Sequence, residues 1–127
     1  YDLDARCDVY VVQAGGKPND ANDSLPNQLF RLSNRGAPGE AIFTEVTELA
    51  RADDRGYGQG VCAGDANQDG FLDLLVANIG YNQLYMNQGD GTFRLAENLI
   101  TQPGERWTSS VAIADLSGDH LPELIEI

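Results

Sequence analysis

The stretch Asp65-Ala66-Asn67-Gln68-Asp69-Gly70-Phe71-Leu72-Asp73-Leu74-Leu75-Val76-Ala77-Asn78 decides how this chain folds. Its first half sets an acid or amide at alternate positions and turns at a glycine. Its second half is an unbroken β-prone apolar run headed by an acid. The preceding Gly60-Val61-Cys62-Ala63-Gly64 also reads as a strand, so the acidic segment is a loop joining two strands. Alternation turns Asp65, Asn67 and Asp69 toward one centre. Gly70 allows the sharp turn that a Cβ would hinder. The Phe71 carbonyl and the Asp73 carboxylate follow within reach. An all-oxygen donor set of this kind suits Ca²⁺, which takes about six to eight oxygens at about 2.3–2.6 Å. Left without an ion, such carboxylates repel by on the order of 1 kcal/mol or more per pair at a surface-like dielectric. The alternative is an Asp/Asn-rich turn that holds no metal.

Two other calcium loops begin in the same way. An EF-hand or a dockerin-type loop wants an acid at its twelfth position, which here is Val76. The flanks also read as strands, where an EF-hand needs helices.

Working outward, the pattern repeats. Asp8-Val9-Tyr10-Val11-Val12 and Glu123-Leu124-Ile125-Glu126-Ile127 each place an acid before an apolar run, and these heads lie 65 residues before and 50 after Asp73. Upstream of Glu123 stand Asp115, Ser117 and Asp119, with the Leu121 carbonyl in the place of Phe71. Ser117 replaces Asn67, His120 replaces Gly70 and Glu123 replaces Asp73. His120 costs the turn its glycine, though histidine visits positive φ more readily than most residues. Upstream of Asp8 stand Asp2 and Asp4, a remnant third site. Downstream, Asn82-Gln83-Leu84-Tyr85-Met86-Asn87 matches Asn27-Gln28-Leu29-Phe30-Arg31-Leu32. Gly89-Asp90-Gly91-Thr92-Phe93 matches Gly39-Glu40-Ala41-Ile42-Phe43, across insertions at 17–26 and 34–38. Each unit reads as strand, acidic loop, strand, turn, strand, turn, strand. The segment 45–52 reads either as a short helix or as a strand edge.

The 127 residues suit one domain at most, with a repeat region over 1–127 divided near 1–52, 53–104 and 105–127. The 14 glycines and five prolines leave little room for long helices. With 20 Asp and Glu against eight Lys and Arg, the chain lacks the cations that nucleic acid or an anionic membrane surface would require. No apolar run is long enough for a membrane-spanning helix. Cys7, Cys62 and the single His120 are too few soft ligands for zinc. The cysteines read either as small buried hydrophobes or as a disulfide pair.

The combination of the loop, Asp73 to Asn78, Asn82-Gln83-Leu84-Tyr85 and Gly89-Asp90-Gly91-Thr92-Phe93 resembles an FG-GAP/VCBS repeat, the blade of integrin-α-like β-propellers. With Gly58-Gln59-Gly60 where Phe-Gly would stand, and Asn78-Ile79-Gly80 in place of Gly-Ala-Pro, it is nearer the bacterial VCBS type. The resemblance implies all-β, four-stranded blades, about two and a half of them here. It implies Ca²⁺ held by Asp65, Asn67, Asp69, Phe71 and Asp73. A weaker site is implied at Asp115, Ser117, Asp119, Leu121 and Glu123, and the remnant at Asp2, Asp4 and Asp8. Propellers have about four to eight blades. The chain is therefore expected to be a piece of a longer protein, or a module that completes its sheets with neighbouring copies.

The expected function is a calcium-binding propeller segment of a secreted or cell-surface protein, serving structure, adhesion or the binding of a protein or carbohydrate ligand. The alternatives are a subunit of an extracellular filament or scaffold, and a non-catalytic accessory domain of a larger enzyme. No hydrolase, metalloprotease or phosphate-loop motif is present, so the chain is not expected to be an enzyme. Trp107 and Tyr57 would either line a sugar-binding surface or pack between blades.

Overall fold

Each β-prone run between turn signals becomes a strand, and the strands pair into three antiparallel sheets. The computed structural model describes residues 1–17, 20, 22–33, 37, 40–96 and 107–127. The first sheet orders β1 (Val9–Val11), β2 (Gln28–Ser33) and β3 (Ile42–Glu45). One helical turn, α1 (Thr47–Ala50), follows and ends on Arg51 in a left-handed conformation. The second sheet orders β4 (Tyr57–Gly64), β5 (Asp73–Ile79), β6 (Gln83–Asn87) and β7 (Phe93–Leu95), and the third pairs β8 (Val111–Ala114) with β9 (Glu123–Glu126). The fold is all-β, a short run of β-propeller-like repeats. The expected boundary between the second and third repeats lies outside the described residues, as does most of the insertion at 34–38.

Register explains why β5 is apolar from Leu74 to Ala77. Successive side chains of a strand point to opposite faces. Leu74 and Val76 meet Leu29, Ala50, Ala52, Tyr85 and Phe93 on the side of the first sheet. Leu75 meets Leu84 and Met86, with Val111, Ile113 and Leu124 of the third sheet packed over them. A strand covered on both faces must be apolar at every position. Burying each large side chain stabilises by about 1.5–3 kcal/mol. The sheets also approach closely at Gly64, where an added Cβ would lie 2.9 Å from the Ile113 Cβ.

A polar hub joins the first two sheets. Asn27, at the entry to β2, accepts the Gln13 N–H on Oδ1 (2.7 Å) and donates to Asp54 Oδ2 (3.3 Å). Asn78 of β5 donates to the same Asp54 oxygen at 3.1 Å, and the Gly56 N–H reaches Asp54 Oδ1 at 3.2 Å. One unit later the pattern returns. Asn82 accepts the Asn78 N–H (2.8 Å) and donates to Thr108 Oγ1 (2.9 Å).

Two expectations are corrected. Cys7 is exposed and Cys62 half-buried, and both thiols are free, so they are neither core residues nor a disulfide. Trp107 does not pack between sheets. Only its backbone bridges to Ile79, while the ring is 70% exposed and donates from Nε1 to Gln59 Oε1 at 3.1 Å. Between its two readings, the segment 45–52 turns out helical. The Thr47 hydroxyl there accepts the Leu29 N–H (2.9 Å) and pins the turn to β2.

Burial pushes the Asp54 carboxyl above its ordinary 3.8, against the lowering effect of the Asn78 amide and the Gly56 N–H. A carboxyl whose folded pKa is raised penalises the fold once ionised. Its contribution therefore falls as pH rises from 3.8 through the raised value. Urea unfolding across this range, compared with Asp54→Asn, will show wild type losing ground to the variant as pH rises. A stability difference that stays flat with pH would refute the penalty. Asp54→Ala, which strands two buried amides, is expected to lose about 1–3 kcal/mol.

Candidate metal centre

The loop between β4 and β5 is wound by its own acids. Asp65 accepts the Asp69 N–H on one oxygen (3.1 Å) and the Gly70 N–H on the other (2.9 Å). Asn67 Oδ1 accepts the Asp69 N–H at 3.1 Å, and Asp69 Oδ1 accepts the Phe71 N–H at 2.9 Å. Such local bonds compete with regular structure and favour turns. Asp73 heads β5 and is fully buried. Its oxygens take the Ala66 N–H (2.9 Å) and the Asn87 N–H (2.8 Å), tying loop, β5 and β6 together. Burial raises the Asp73 pKa, the two N–H groups lower it, and Asp69 and Asp65 raise it further.

The other two loops repeat much of this winding. Leu121 N–H meets Asp119 Oδ1 at 2.9 Å, as Arg6 N–H meets Asp4 Oδ1 at 3.0 Å. Glu123 takes the Leu116 N–H at 2.6 Å, as Asp8 takes the Tyr1 nitrogen at 2.6 Å and the Leu32 N–H at 3.0 Å. Asp115 holds the N–H groups of Gly118 (2.7 Å) and His120 (2.9 Å). Positive φ also recurs in register: Leu3, Gln68 and Gly118 at 57°, 62° and 79°, then Ala5, Gly70 and His120 at 63°, 89° and 71°. The turn the sequence assigns to Gly70 is therefore a two-residue device, kept even where no glycine stands.

The structure brings the predicted ligands together unevenly. Among the described residues, the acidic trio with oxygens within 4.8 Å of one another is Asp115, Asp119 and Glu123, the set read from sequence as weaker. Ser117 and Leu121 are exposed beside it. In the middle loop the Asn67 amide donates to Asp69 Oδ2 (2.8 Å), and Asp73 accepts two backbone N–H groups. A carboxylate oxygen that accepts one N–H still keeps a lone pair for a cation, so both donor sets fit a hard ion. The Phe71 ring lies against Gly89, where an added Cβ would be 2.7 Å from the ring. The Gln68 amide donates to the His120 carbonyl and links the middle loop to the last.

The first loop differs in charge. Arg31 Nε lies 2.6 Å from Asp2 Oδ2 and its Nη2 3.7 Å from Asp4 Oδ2, while Arg6 Nη1 lies 3.0 Å from Asp4 Oδ2. Among the described residues, no basic side chain pairs with the acids of the other two loops. In repeat register, Arg31 is replaced by Met86 and Arg6 by Phe71 and Leu121. Sequence reading missed both arginines, although their mismatch in the repeat alignment was the available signal.

Residues 65–125 match the family model of the FG-GAP-like repeat. No curated protein matches the chain.

Gly70 has nothing within 4 Å of where a Cβ would stand, so its role is conformational alone. Gly70→Ala should cost about 1–2 kcal/mol in urea unfolding without calcium. His120→Gly should shift stability the other way. Wild-type stability in Gly70→Ala would mean that this residue does not need its left-handed backbone.

Proposed function

We propose that this chain, which carries an FG-GAP-like repeat, is a calcium-stabilised β-propeller segment of a secreted or cell-surface protein, with a structural, adhesive or ligand-binding role. The observation that carries the reading is the meeting of Asp115, Asp119 and Glu123 within 4.8 Å in a loop wound like that of Asp65 to Asp73. When bound, the ion supplies the positive charge that three converging carboxylates lack. The residues do the rest. Asp73 and Glu123 hold the loop ends to backbone N–H groups, and the left-handed pairs Gln68/Gly70 and Gly118/His120 aim the acids.

A binding role is favoured over catalysis by the state of the nucleophile–base candidates. Ser109 Oγ donates to the Ile127 carbonyl at 3.1 Å, and His120 sits in the acidic loop with a left-handed backbone. The ligand would be a protein or a carbohydrate. The net charge of −12 disfavours nucleic acid.

Extracellular modules bind calcium with Kd of roughly 10⁻⁴–10⁻³ M. At ten times Kd each site adds about 1.4 kcal/mol. Thermal melting in calcium and in chelator should therefore differ by several degrees, and Asp115→Asn with Asp119→Asn should remove part of that difference. Identical melting in the two solutions would sink the calcium role.

A further inference from the structure

We infer that Arg6 and Arg31 are the resident cations of the first acidic loop, so that this copy keeps its shape without calcium while the two later copies answer to the ion. The contrast between copies rests on the calcium reading above; the role of the arginines does not.

Three observations converge. The first loop has the backbone of the others, with positive φ at Leu3 and Ala5, neither of them glycine. It keeps their hydrogen bonds, with Asp4 N–H on Asp2 Oδ1 (3.3 Å) and Arg6 N–H on Asp4 Oδ1 (3.0 Å). It therefore sets Asp2 and Asp4 in the places of Asn67 and Asp69. Two guanidinium groups then sit on those carboxylates. Arg31 spans Asp2 and Asp4, and Arg6 closes on the same Asp4 oxygen.

The two arginines come from different places in the chain. Arg6 is in the loop itself, at the position of Phe71 and Leu121. Arg31 is in β2, at the position of Met86. The planar fork of arginine suits a span between two carboxylates, and its charge persists at every physiological pH. An isolated exposed ion pair is worth little. Here, however, the Asp2 and Asp4 side chains are only 14% and 19% exposed, and two cations form one network with them. A metal entering this loop would have to displace a guanidinium from its first two carboxylates. In the middle loop it would displace only the Asn67 amide from Asp69.

The test has two arms on the chain as it stands. In the first, calcium is titrated while backbone amide resonances are followed. The amides of Asp69, Gly70, Phe71, His120 and Leu121 should shift, and those of Asp4 and Arg6 should stay. Movement of the first-loop amides at the same calcium concentration would overturn the inference. In the second arm, Arg31→Met and Arg31→Lys are melted in chelator. Arg31→Met should lower Tm by roughly 2–5 °C. Arg31→Lys should recover part of the loss, since an ammonium restores charge but not the fork. An unchanged Tm in Arg31→Met would overturn the inference. If no loop responds to calcium, the preceding functional reading fails, and the melting of the Arg31 variants still decides the role of the arginines.

Discussion

A carboxylate at the head of the strand that follows each acidic loop is the contact on which the rest depends. Asp73 and Glu123 each accept a backbone N–H from the start of their own loop, and Asp8 takes the Tyr1 α-ammonium in the same place. Asp8 and Asp73 also accept a backbone N–H from the next strand, at Leu32 and Asn87. One side chain thus closes the loop and sets the register of the following hairpin. The full burial of Asp73 makes it indispensable as an acceptor, because a buried unpaired N–H costs about as much as a lost hydrogen bond. A carboxylate is the short group able to accept two such donors from opposite sides. The cost is a charge out of water, which the raised pKa of Asp73 records.

With the loops closed in this way, the sheets can stack. Burial of β5 on both faces follows from its place between two other sheets, and the apolar contacts alternate along it between the two clusters. Apolar packing is non-directional, so it leaves the offset between sheets weakly specified. The Asn27–Asp54–Asn78 hub adds direction. Its donors and acceptors meet at one offset only, and the chain crosses from the first sheet to the second there. Asn78 Oδ1 is buried without a partner, so the hub is one donor short on the side of β5.

Much of this was legible in the sequence because period and register are local. The acid-headed runs became β1, β5 and β9, the Asn-Gln-Leu runs became β2 and β6, and the loop copies fell in the register their spacing implied. What was not legible was non-local. The exposure of Cys7 and Trp107 depends on which neighbours reach them, and an apolar residue type does not encode that. Asp54 looked like one acid in a polar run, yet its partners lie 27 and 24 residues away. Arg31 belongs to a strand and acts in a loop that precedes it by some 25 residues. The convergence of Asp115, Asp119 and Glu123 likewise depends on side-chain placement that the motif does not encode.

The acidity of the chain can then be assigned. Nine of its 20 acids are the loop carboxylates at 2, 4, 8, 65, 69, 73, 115, 119 and 123. Setting Arg6 and Arg31 against them leaves seven negative charges, more than half of the net −12. Most of the excess charge is therefore concentrated in three small loops rather than spread for solubility. Charge so placed works against the compact state unless something offsets it. In the first loop the chain supplies the offset from its own side chains. In the other two, Phe71, Met86 and Leu121 stand where those arginines would be, and on the calcium reading proposed above a bound ion would supply the offset.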